Sequence, residues 1–117
     1  MLLASGCGGK TEYSLQKTRS CLQARGAQIT APDASDIVAT SAVGGSFKAL
    51  LGDNFVTLVF GTDDGSGEKL ADAYGRFAFP NVKAGLPDVL RRYSNVVTLW
   101  HVHPQDADLS LVVGCLR

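Results

Sequence analysis

Along the chain the apolar positions switch between a helical and an alternating period, and glycine, proline or aspartate marks each switch. In residues 14–25, Leu15, Thr18 and Leu22 recur at helical spacing, and Gly26 stands where a helix ends in a left-handed residue. Residues 27–30 are a short segment fit to enter a sheet, and Pro32, Asp33 and Asp36 then spell a turn. Residues 37–40 and 46–51 read as strands separated by Gly44-Gly45, and Gly52-Asp53-Asn54 turns the chain tightly into residues 55–60. That last run, Phe-Val-Thr-Leu-Val-Phe, is almost wholly apolar or β-branched, the composition of a central strand covered on both faces.

Further on, Ser66 is placed to cap a helix carrying Leu70, Ala73, Tyr74 and Phe77 on one stripe, and Pro80 closes it. Residues 87–93 read as a short helical turn, and residues 95–103, which include Trp100, as a second β-branched strand pairing with residues 55–60. Pro104 suits a first helical position, Asp106 the positive end of that helix, and Leu109, Val112, Val113 and Leu116 form its apolar stripe. The pattern predicts an α+β fold: a mostly antiparallel 4-stranded sheet with three helices packed on one face. A strand-helix-strand crossover across residues 55–103 allows one parallel pair.

At 117 residues the chain is long enough to bury one core, so residues 13–117 are read as a single domain. Eleven basic residues balance eleven acidic ones, with no basic block, which argues against nucleic acid as a partner.

The three cysteines add an address. Ala4-Ser5-Gly6-Cys7 resembles the lipobox of bacterial lipoproteins, in which small residues precede a cysteine that a signal peptidase exposes and a diacylglycerol modifies. The resemblance covers residues 1–12 and implies that Cys7 is lipidated, that residues 8–11 are a tether, and that the domain is held at a membrane in the cell envelope. Such a leader also carries a basic region and about 7 to 15 apolar residues. Met1, Leu2 and Leu3 would be its end, so the reading expects the rest upstream. Setting Cys7 aside leaves an even pair, Cys21 in the first helix and Cys115 in the last, as a bridge stapling the two ends of an extracytoplasmic domain. The competing reading is two buried free thiols.

The sharpest chemical motif is His101-Val102-His103-Pro104, because alternate residues of a strand point the same way and two imidazoles can share one metal ion, with Asp106 or Asp108 as a third ligand. It resembles the metal motif of the deubiquitinase-like JAMM proteases, where a serine and then an aspartate follow. Ser110 sits near the serine position, but Val113 occupies the aspartate's. The loop Gly61-Thr62-Asp63-Asp64-Gly65-Ser66-Gly67 lacks the endings of a phosphate loop, and no GxSxG elbow or CxxC pair occurs. No cofactor is implied. The features together point to a noncatalytic, membrane-tethered extracytoplasmic domain that binds an envelope partner or a small ligand. Two alternatives are a small metal-binding protein or metal-dependent hydrolase using His101 and His103, and a structural subunit with an exposed apolar patch.

Overall fold

The computed structural model describes residues 12–78 and 80–117. In chain order the elements are α1 (Leu15–Ala24), β1 (Gln28–Thr30), α2 (Ile37–Ser41), β2 (Ser46–Leu51), β3 (Asn54–Phe60), α3 (Asp64–Phe77), α4 (Pro80–Lys83), α5 (Leu86–Val89), β4 (Leu90–Tyr93), β5 (Val96–Trp100) and α6 (Asp106–Gly114). The fold is α+β. Its sheet has five strands in the order β1-β2-β3-β5-β4, every neighbouring pair antiparallel.

The expected 4-stranded sheet therefore differs in two places. Residues 37–40 are not a strand but the body of α2: Asp36 Oδ1 accepts from the Ala39 amide at 2.9 Å and caps the helix, and the Thr40 hydroxyl donates back to the Asp36 carbonyl. The helical turn expected over residues 87–93 ends at Val89, and Leu90–Tyr93 becomes the edge strand β4, paired with β5 from Leu90↔Leu99 to Tyr93↔Val96. This edge also removes the parallel pair. The crossover from β3 through α3 lands on β4, and β5 returns antiparallel between the two.

The helices lie on both faces of the sheet rather than one. Period-two alternation sends Val56, Leu58 and Phe60 of β3, with Val96 and Trp100 of β5, toward Leu22 of α1 and Val112 of α6. Val59 and Val97 point the other way, to Val38 and Ala39 of α2 and Tyr74 of α3. Strand β3 is thus central and covered twice, as its composition predicts. Helix α6 buries Val112 with Cys115 and Leu116 beyond its end, whereas Val113, placed on the expected stripe, is 40% exposed. Glycine at position 67 lets α3 approach the β4–β5 turn, since a Cβ there would stand 2.1 Å from the Ser94 carbonyl oxygen.

Candidate functional site

Cys21 and Cys115 are joined as a disulfide, with Cα atoms 5.4 Å apart and 94 residues of separation. Around it the chain ends lock together. The Ser14 amide donates to the Arg117 carbonyl at 2.6 Å, and the fully buried Thr18 hydroxyl accepts from the Arg117 amide at 3.3 Å. Next to this staple Asn95, 3% exposed, accepts from the Tyr13 amide (2.7 Å) and donates to the carbonyls of Tyr13 (3.0 Å) and Gly61 (2.9 Å). The start of the domain is thereby tied to the sheet beside Gly61. Cys7 and the lipobox lie outside the described residues.

The histidine motif takes a different shape from the one its spacing implies. Strand β5 stops at Trp100 and the chain bends at His101 and Val102, so the alternation that would aim both imidazoles the same way ends before it reaches them. His101 stacks on Phe55 with ring centroids 4.4 Å apart, and Lys48 Nζ sits over the same phenyl ring at 4.6 Å. His103 Nδ1 meets Asp88 Oδ1 at 2.6 Å, not Asp106, which opens α6 on the exposed surface. Asn54 fixes the bend by accepting from the Val102 amide and donating to the Val102 carbonyl. Both histidines border an open cleft of about 600 Å³ with Asp33, Asp36 and Asp88. Among the described residues, no three His, Cys, Asp or Glu side chains are grouped to hold one metal ion. The proposed trio of His101, His103 and Asp106 is therefore not assembled.

A more apolar feature lies on the α2–α3 side of the sheet. A groove of about 570 Å³ runs between the two helices beside residues 60–62 at the end of β3, lined by Ile37, Ser41 and Val43 on one wall and Leu70, Ala73 and Phe77 on the other. Thr62, Ser66 and Lys69 lie along the same groove, and among the described residues no carboxylate lines it. Val43 is 92% exposed, Ile37 54% and Phe77 57%, so the rim offers large apolar groups to solvent. A smaller cavity of about 130 Å³ shares Ile37, Val38 and Phe77 with it and continues toward Tyr74, Val82 and Leu99.

The walls are held by one carboxylate. Asp36 caps α2 through Oδ1 while Oδ2 accepts from the Tyr74 hydroxyl on α3 at 2.7 Å. Burial, then the hydrogen bond to Asp36 and its negative charge, push the Tyr74 phenol far above its usual ionisation range. Burial also raises Tyr93, against the opposing pull of Arg91.

The groove is not legible in the sequence pattern. A strand over residues 37–40, as that pattern predicts, leaves no helix to form one wall, and the predicted stripe of α3 buries Phe77, which is 57% exposed. A signal was present: Asp36 three residues before Ala39 is an N-cap spacing. Comparison of the chain with protein-family models, with curated proteins and with solved structures finds no match.

Proposed function

We propose that this protein is a noncatalytic, extracytoplasmic binding domain, tethered to a membrane through Cys7, that holds the apolar part of a small ligand in the α2–α3 groove. The groove carries the reading. Its volume of about 570 Å³ falls within the roughly 300 to 1,000 Å³ of small-molecule sites, and its lining is mainly apolar with a few polar groups, the composition such sites have. The disulfide supports the address, because bonds of this kind persist in oxidising compartments.

Titration with decanol, a neutral apolar probe, tests the binding. Saturable amide shifts confined to α2, α3 and residues 42–45, abolished by Ile37→Asp, are the expected result. Absence of saturation removes the groove as a binding site. The address has its own test: fractionation of cells making the full-length precursor should move the Cys7→Ser variant from the membrane to the soluble envelope fraction with its disulfide intact, and unchanged membrane association refutes the anchor.

A further inference from the structure

We propose that the ligand of the α2–α3 groove is a single-chain anionic amphiphile, a fatty-acid-like carboxylate, with its tail along α3 and its head group beside Lys69. The proposal rests on the binding reading above and names the ligand class for that site. The first argument is shape. On α3 the lining runs from Ser66 to Phe77, eleven positions, which is about 16 Å of helix. A smaller cavity that shares Ile37, Val38 and Phe77 with the groove adds about 130 Å³, with Asp33 and Asp36 in its own lining.

Chemistry changes along that length. At the N-terminal end of α3 the Thr62 and Ser66 hydroxyls stand 3.2 Å apart, and Lys69 follows one turn later. Beyond it the lining turns to Leu70, Ala73 and Phe77. Lys69 is the one charged side chain on the groove among the described residues, and it enters none of their ion pairs. Seven positions on, Arg76 lies over the Phe77 ring at 5.6 Å, and both it and the intervening Asp72 are outside the lining.

Charge complementarity therefore selects an anion. An ammonium head would face Lys69, and an alcohol would leave that ammonium without a counter-charge. The free amphiphile is favoured over an anionic bilayer, because the balanced charge of the chain provides no field to hold it flat on such a surface.

Calorimetric titration of the full chain with decanoate, decanol and decyltrimethylammonium, each below its micellar concentration, tests this. Decanoate should bind one to one about fivefold more tightly than decanol, the size of an exposed ion pair. Decyltrimethylammonium should bind most weakly. Lys69→Gln, an exposed change compatible with the fold, should bring decanoate to the affinity of decanol, and 0.5 M salt should narrow the gap in the wild type. Equal binding of decanoate and decanol, or an undiminished gap in Lys69→Gln, overturns the head-group assignment and leaves the binding reading standing. No saturable binding by any of the three overturns both. Association with phosphatidylglycerol vesicles but not with monomeric decanoate overturns it in favour of a bilayer surface.

Discussion

The Tyr74 hydroxyl donates to Asp36 Oδ2 at 2.7 Å while the other oxygen of the same carboxylate accepts from the Ala39 amide at 2.9 Å. One side chain thus terminates α2 and joins it to α3. Because burial and Asp36 both favour the neutral phenol, Tyr74 contributes stability in full below its unfolded ionisation near pH 10.0, and loses it as the pH climbs above that value. Tyr74→Phe should cost roughly 1 to 3 kcal/mol at pH 7, by leaving Asp36 Oδ2 unpaired. It should also flatten the fall in stability above pH 10 by about one proton per molecule. Denaturant titrations between pH 7 and pH 11 check both, and parallel pH profiles for the two proteins would show that Tyr74 is not the group responsible.

Asn95 is the junction of the chain start, the β3 end and the β4–β5 turn. Asn95→Asp keeps the oxygen that accepts from Tyr13 but removes both donors, to Tyr13 and Gly61, and introduces a charge at a 3% exposed position. A loss of about 3 kcal/mol or more is expected, from two carbonyls left unpaired and a buried carboxylate. Equilibrium unfolding in urea measures it, and a change below 1 kcal/mol would mean that the neighbourhood rearranges freely.

At position 67 two effects have opposite signs. Helix propensity favours alanine over glycine by about 1 kcal/mol inside α3. A Cβ there would lie 2.1 Å from the Ser94 carbonyl oxygen, a backbone atom that moves only with the turn. Overpacking of this kind costs roughly 1 to 3 kcal/mol, so Gly67→Ala should destabilise. Gly75→Ala, on the same helix with open space at its Cβ, should stabilise instead. Thermal melts of the pair give the comparison, and stabilisation by both would refute the contact.

Replacing Cys21 and Cys115 together by alanine opens a loop with 94 residues of separation. Chain entropy alone assigns such a closure about 4 to 5 kcal/mol, and a loss of at least about 2 kcal/mol is expected. Reductant should reproduce the shift in the wild type and leave the double variant unchanged. A double variant as stable as the oxidised parent would show that the end-to-end hydrogen bonds suffice.

How much of this was legible in the sequence depends on whether the signal was local. Helix α1, with Ser14 as its cap and Gly26 at φ +94°, and strand β3, with its unbroken apolar run, are each specified within their own residues. Residues 37–41 are not: Ile, Val and Thr favour a strand by side-chain shape, and the Asp36 cap together with burial of Val38 and Ala39 decides for a helix. Strand β4 was hidden because its hairpin turns on Ser94 at φ +55° and Asn95, without the glycine that usually marks such a turn. Parity found the Cys21–Cys115 pair, since cysteine counting needs no coordinates. The His101–His103 site failed for a geometric reason, as the spacing is meaningful only while the strand continues and β5 ends at Trp100. The groove needed two helices on one sheet face, a tertiary fact no single segment contains.

The staple between the chain ends has a mechanical meaning. A pull applied between Tyr13 and Arg117 first breaks the Tyr13–Asn95 hydrogen bonds and is then carried by the Cys21–Cys115 bond, because both cysteines lie inside the two points of attachment. Nearly the whole domain is then shielded from the load, and with the bond closed the extension available is that of the few residues outside the covalent loop. Stretching single molecules from these ends should give a short rupture in oxidising buffer and a release of the full domain length after reduction. Oxidised, the protein behaves under tension as a short rigid link.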